Sequence, residues 1–314
     1  MSGYIIRRLL AIVPVLLLVT FISFTVMEFV PGDPALIVAG AYASQERIQE
    51  IRVLMGLDAP FHVRLTRWYA DLAQGDMGQS IFLGRSVTEA IWERLPVSGS
   101  IALYALLLTI LVGSGAGILA SLHPNSLTDQ TLMSFAMLGI ALPNFWLGIM
   151  MIILFSVHLG WMPTAGYVPL TEDPLGWLAP STMPAFSLAL MQMGLLARVT
   201  RSTMLEVLGQ DFIRTAWSKG LSERQVIWRH VLRNVMIPVI TLIGIIFSLL
   251  MSGAVVIESV FSIPGIGRLV TQAILQRDYP VIQGGVLATA LIMIVINFLI
   301  DITFSTIDPR VRYD

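Results

Sequence analysis

An amide or ionisable group inside a long apolar run is costly in hydrocarbon and needs a reason to be there. Glu28, Asn144, Gln192, Glu258, Asn297 and Asp301 lie in or at the edge of such runs. Two uses are open to them. They can line a path for polar cargo, or they can serve structure: Glu28, Glu258 and Asp301 stand within a turn or two of a run's end, where snorkelling or helix capping is the ordinary role. Asn144 and Asn297 suit interhelical hydrogen bonds worth about 1 kcal/mol each. Ser248, Ser252 and Gly253 fall on adjoining turns and are small enough for close packing or for a wide pore lining. The candidate path set is Glu28, Asn144, Ser248, Ser252 and Asn297.

Covalent and metal chemistry have less to work with. No nucleophile stands at credible spacing from a base, so no enzyme is expected. Four histidines, His62, His123, His158 and His230, are scattered, and cysteine is absent, which removes thiolate sites and disulfides and leaves no expected metal centre. A phosphate-binding loop needs Gly-Lys followed by Ser or Thr. The only lysine, Lys219, is followed by Gly220. ATP and its magnesium, if used, must therefore be held by another polypeptide, and no cofactor is expected in this chain.

The elements that position these residues are membrane spans. In 314 residues, 56% are apolar and 12% charged, and the mean hydropathy is +0.80, too little polar surface for a dissolved domain. A net charge of -1 gives no global pull toward nucleic acid. A hydrocarbon core of about 30 Å needs roughly 20 apolar helical residues. That length predicts an all-α protein of six spans, at 9–30, 98–122, 133–157, 184–197, 235–257 and 284–305, the fourth having the shortest apolar core with Gln192 inside it. The first reads as a retained anchor, since no Ala-x-Ala signal follows it, and Arg7-Arg8 as its cytoplasmic flank.

Positive charge orients the spans. The segment 198–234 carries Arg198, Arg201, Arg214, Lys219, Arg224, Arg229 and Arg233, whereas 158–183 has no Lys or Arg. The basic segment is expected in the cytoplasm, with both termini there too, in line with Arg310 and Arg312. The connection 123–131 has no Lys or Arg and tests nothing. The long segment 31–97 then lies outside. In it Ser44 can cap a helix from Gln45 that Gly56 stops, and Pro60 precedes an amphipathic stretch with Trp68, Tyr69 and Leu72. This segment is either a cap on the membrane surface or a docking surface for a partner delivering cargo. Domain limits follow as 1–30, 31–97 and 98–314.

The cytoplasmic segment 198–234 reads as a rigid protrusion. Asp211 can cap a helix over 212–219, Gly220 supplies a left-handed turn, and Ser222 with Gln225 has capping-box spacing before a run that enters the fifth span. A bland reading is a basic loop against anionic headgroups. A stiff helix–turn–helix suits transmission of a push.

Here the residues resemble a family. Thr215-Ala216-Trp217-Ser218-Lys219-Gly220 with Leu221-Ser222-Glu223 is similar to the EAA loop of bacterial ABC importer permeases, in the form of the dipeptide, oligopeptide, glutathione and nickel group. So are Pro31-Gly32-Asp33-Pro34, Leu142-Pro143-Asn144-Phe145-Trp146, Arg233-Asn234 before Ile237-Pro238, Pro264-Gly265-Ile266-Gly267-Arg268, Arg277-Asp278-Tyr279-Pro280-Val281-Ile282-Gln283 and Asp308-Pro309-Arg310, in that order. Arg214, Thr215 and Arg233 depart from the general loop pattern.

The resemblance implies a type I importer permease with a structured periplasmic loop and an ATPase-coupling helix formed around Arg214, Thr215, Ala216, Lys219, Gly220, Leu221 and Ser222. Ala216 would permit close approach to the ATPase, and Gly220 would set the helix direction. It implies as partners a homologous second permease in a heterodimer, two ABC ATPase subunits and an extracytoplasmic substrate-binding protein, in the bacterial inner membrane. The cargo would be a dipeptide or oligopeptide, or else glutathione, an opine or chelated nickel. Two other classes fit less well: a proton-coupled secondary transporter lacks its paired broken helices, and a passive channel lacks a ring of like residues.

Overall fold

The computed structural model describes residues 2–29, 33–40 and 42–307. Pro31-Gly32, Asp308-Pro309-Arg310, Arg312 and the side chains of Arg7, Arg8 and Asp301 lie outside the described residues. Among the described residues, regular structure is helical, with one isolated bridge between Gln79 and Ser86. Among the same residues five helical stretches are long and apolar enough to cross a bilayer: Leu10–Phe29, Val87–Leu122, Pro174–Leu208, Glu223–Val260 and Tyr279–Ile300. A sixth crossing is available if Leu127–Ala141 and Asn144–His158 act together, but the two meet at 101°.

Two sequence expectations change here. The third span was expected to run unbroken over 133–157. Instead Leu142 is extended (φ -86, ψ 126), because the ring of Pro143 crowds the preceding residue out of the helical region. The second, fourth and fifth spans are longer than read, at 36, 35 and 38 residues. At 1.5 Å per residue, 36 residues reach about 54 Å, so hydropathy marks only the part matching the hydrocarbon. The fourth helix starts at Pro174, where Asp173 accepts hydrogen bonds from the Leu175 and Gly176 amides at 3.1 and 2.9 Å.

The chain forms two compact units, 1–96 with 264–294 and 97–263 with 295–314. The first holds α1 (Ser2–Phe29), α2 (Pro34–Ala39), α3 (Gln45–Leu54), α4 (Phe61–Ala73) and the start of α5 (Val87–Leu108). Ser44 caps α3 as expected, accepting from the Arg47 amide, and Gly56 turns the chain with φ +65. The aromatic side of α4 is used within this unit: Phe24 of α1 stacks edgewise on Phe61 at 5.6 Å and meets Trp68 at 5.4 Å. The hydroxyls of Tyr69 and Thr20 are 3.1 Å apart.

The second unit is organised around the helix Pro174–Leu208, here α9, which touches α6 (Gly115–Leu122), α7 (Leu127–Ala141), α8 (Asn144–Met151) and α12 (Leu232–Val260). A π turn, Thr109–Ser114, leads from α5 into α6. Gly113 and Gly117, four residues apart, let this stretch lie directly on the α9 backbone. A Cβ on Gly117 would stand 2.5 Å from the Ala197 carbonyl oxygen, and one on Gly194 would stand 2.3 Å from that of Ala136.

The connection 123–131, silent as a charge witness, has a structural role. Asp129, 3% exposed, accepts two bonds from Arg201, at 2.5 and 2.6 Å, and one from the Asn125 amide at 2.9 Å. A buried carboxylate needs this degree of pairing.

Gly117→Ala tests the backbone contact. Overpacking of about 1–3 kcal/mol is expected. It should appear as a lower melting temperature of the purified protein in detergent, while Gly115→Ala, a position with nothing within 4 Å, leaves it unchanged.

Candidate functional site

The protrusion at the end of α9 is built from short-range signals. After Gly209, the carbonyl of Gln210 accepts from the Ile213 and Arg214 amides, which starts α10 (Asp211–Ser218). Asp211 is thus the first helical residue rather than the cap expected from sequence. Its carboxylate sits 3.7 Å from Arg214, and in the first turn it complements the helix dipole. Gly220 has φ +80, as the turn required, and its amide donates to the Trp217 carbonyl. Ser222 and Gln225 form the expected capping box.

From there α11 (Glu223–Gln225) and a π turn, Val226–Val231, run into α12. Ile213 and Ala216, three residues apart, face inward and share one apolar cluster with Met204, Val226 and Val231. Leu221 packs against the same cluster. Ala216 is 6% exposed, its small side chain lying against this chain's own helices in that cluster.

The outward face carries different residues. Arg214, Thr215, Lys219 and Ser222 are exposed, and Phe212 and Trp217 are each 44% exposed on its flanks. Thr215 and Ser218 return their hydroxyls to the Asp211 and Arg214 carbonyls. The result is a polar ridge with two aromatic shoulders, fixed at both ends to long helices. Phe212 and Trp217 were outside the sequence-derived set, and their spacing either side of the Ile213/Ala216 stripe was the signal for them.

The candidate path residues divide between the units. Glu28 belongs to the first, where it pairs with Arg64 at 2.5 Å. In the second, the Ser248 hydroxyl donates to Asn297 Oδ1 at 3.4 Å and Ser252 is exposed one turn on. Asn144 accepts from the Phe145 amide at 2.8 Å, and its amide nitrogen lies 3.4 Å from where a Cβ on Gly253 would be.

Sequence reading missed the rest of this face. Thr241, Ser248, Ser252 and Ser259, spaced by 7, 4 and 7 residues, fall within about 40° on α12. Thr241 and Ser259 bond their hydroxyls to carbonyls four residues back, at 3.0 and 3.2 Å, which lets a helix carry them through an apolar layer. Glu258 is elsewhere. It is fully buried and accepts from Ser98 at 2.5 Å, so neither snorkelling nor an exposed path role describes it; its helix face is the one carrying Ala254 and Ile257 into the core.

Comparison with known proteins fits this geometry. A family model for binding-protein-dependent transport system inner membrane components matches residues 113–313, and a model for the N-terminal part of such membrane components matches residues 1–102. A relative from Brucella abortus (strain 2308), whose name assigns it to a peptide transport system as permease, is 50% identical over 314 residues, with both chains fully covered. The oligopeptide transport system permease protein AppB of Bacillus subtilis (strain 168) is 38% identical over 316 residues, again covering both chains.

Among solved structures, a chain of the MetNI methionine ABC transporter in an inward-facing form has a TM-score of 0.56 at 15% identity. The match covers 71% of this chain and 96% of that one. A chain of an amino acid ABC transporter gives 0.54 at 12% identity, covering 70% and 94%. These two likenesses concern the fold. Membrane-crossing helices, full-length relatives and the family match lead to one conclusion: the chain belongs to the binding-protein-dependent transport system inner membrane component family.

Proposed function

We propose that this permease moves short peptides across the cytoplasmic membrane as one half of an ATP-driven importer. The observation that carries the peptide reading is identity over the whole length with relatives named for peptide transport, 50% in the Brucella abortus chain and 38% in the Bacillus subtilis one. A glutathione transport system permease protein from Salmonella paratyphi A, also 38% identical over its full length, makes glutathione the second cargo to test.

In this reading the polar ridge of α10 enters a groove on an ABC ATPase subunit, which holds the ATP and magnesium. Two such ATPases, a homologous permease and an extracytoplasmic binding protein complete the complex. The chain itself performs no chemistry. Closure of the ATPases moves the ridge, and α9 and α12 carry that displacement into the membrane because the ridge follows α9 after two residues and packs on the turn that leads into α12. The hydroxyl face of α12 with Asn297 offers dispersed hydrogen-bonding groups, which suit a cargo with several amides better than a naked ion would.

Reconstitution with the partner subunits and binding protein in proteoliposomes should give ATP-dependent uptake of a labelled dipeptide. Uptake of glutathione alone would transfer the assignment to it. Within the same system, Gly220→Val should reduce uptake and cargo-stimulated ATP hydrolysis together. A branched residue at φ +80 costs about 1–2 kcal/mol and redirects the ridge. Normal coupling in that variant would remove the ridge from the mechanism.

Orientation is testable because the chain has no cysteine of its own. Single cysteines at Asp71, Thr171 and Ser218 replace exposed residues. The first two should react with an impermeant maleimide added outside, in cells with a permeabilised outer barrier, and the third should react only after lysis. Outside labelling at Ser218 would invert the topology and exclude ATPase docking there.

A further inference from the structure

The first unit contains a cavity of about 460 Å³ whose walls carry two acids and two bases, Glu28, Asp33, Arg52 and Arg64, with Tyr279 and Gln283 beside them. That volume is in the range of small-molecule sites, roughly 300–1,000 Å³. The charges are arranged as two pairs: Glu28 with Arg64 at 2.5 Å, and Asp33 with Arg52. The acid of each pair begins or ends a helix, since Asp33 also caps α2 by accepting from the Ala35 amide at 3.0 Å. These groups are therefore held in place rather than trailing in solvent.

Neither arginine is fully used. Arg52 and Arg64 each commit one terminal nitrogen, Nη2, to the paired carboxylate. The Nε of each is enclosed and has no hydrogen-bond partner among the described residues. An orphaned donor on a cation is expensive, and an anionic oxygen is the acceptor that relieves it best. Glu28 spends one oxygen on Arg64, while a carboxylate has sites for about four donors. Phe24, Met27, Met55 and Leu57 provide the apolar part of the wall.

We propose that this cavity binds a small zwitterion, with its anionic end on Arg52 and Arg64, its ammonium on Glu28 and Asp33, and an apolar group against Phe24 and Leu57. Equal numbers of fixed positive and negative groups select a ligand whose own charges are separated and cancel, and they oppose a plain anion or cation. The choice of a free short peptide as that zwitterion rests on the peptide-cargo reading above. A phosphatidylethanolamine headgroup has the same chemistry, an ammonium and an anionic oxygen a few bonds apart.

The test uses the permease–ATPase complex in lipid nanodiscs, without the binding protein, titrated with the dipeptide Ala-Phe and with its N-acetyl, C-amide form. Ala-Phe should bind at least tenfold more tightly than the blocked form. Glu28→Gln and Arg64→Gln should each weaken Ala-Phe about tenfold, the loss of one charge-assisted contact. The blocked-peptide comparison on the unaltered complex decides the matter even if those variants fold poorly.

Discs with and without phosphatidylethanolamine separate the two sources. Equal affinity in both assigns the site to peptide, whereas binding seen only without that lipid assigns it to the headgroup. Equal affinity for free and blocked peptide, no Ala-Phe binding in either disc, or full affinity in both variants would overturn the proposal. Dipeptide uptake by the complete transporter is read separately. Uptake that persists while the binding test fails removes this site alone, and binding without uptake removes the peptide-cargo reading alone.

Discussion

Direct contact between helix backbones along α9 is the constraint on which the second unit depends. In hydrocarbon, apolar side chains gain nothing by leaving lipid for protein, so helices associate through close packing and hydrogen bonds. Gly113 and Gly117 on one side and Gly194 against Ala136 on another bring two stretches of chain within van der Waals reach of α9. Any larger side chain at these points would hold the helices apart and forfeit many weak contacts at once. The buried Asp129–Arg201 pair adds a polar fastening between α7 and the same helix. It has an apolar counterpart in Phe261, whose ring lies 3.0 Å from where a Cβ on Gly148 would be.

A hub of this kind makes the protrusion informative about mechanism. Only Gly209 and Gln210 separate α9 from α10, and α10 is seated on the turn that leads into α12 through Ile213 and Ala216. A force on the ridge is therefore delivered to two long helices together. Packed interfaces respond to such a force by switching between arrangements rather than by yielding gradually. The π turns at Thr109–Ser114 and Val226–Val231 lie next to these contacts, at positions where helices commonly depart from regularity near function.

Polar groups in the spans have sorted themselves by what they can bond. Glu258, fully buried, is held from Ser98, whereas Gln192, 8% exposed on α9, keeps an enclosed Oε1 with no hydrogen-bond partner among the described residues. Along α12, Thr241 and Ser259 return their hydroxyls to their own backbone and Ser248 donates to Asn297, all presented on one face. The first unit handles charge differently, by pairing acids with arginines around a cavity. In the second unit charge is buried and paired at Asp129, while the open face of α12 is built from neutral hydroxyls.

The sequence by itself determined what depends on near neighbours. Apolar runs located the spans, Ser44 and the Ser222/Gln225 box located helix starts, Gly56 and Gly220 located left-handed turns, and the single lysine before Gly220 excluded a phosphate loop. The bend beside Pro143 was legible in principle, since proline restricts the residue before it, but a continuous apolar run masked it. Tertiary structure alone decided which side of each helix is covered. It turned Ala216 inward, buried Glu258 and gathered Glu28, Asp33, Arg52 and Arg64 around one space. The physical reason is that in a membrane a leucine is equally at home against lipid or protein, so hydrophobic pattern loses the power to mark the packed face. Only the positions where backbones must touch, or where a charge must find its partner, then fix the arrangement.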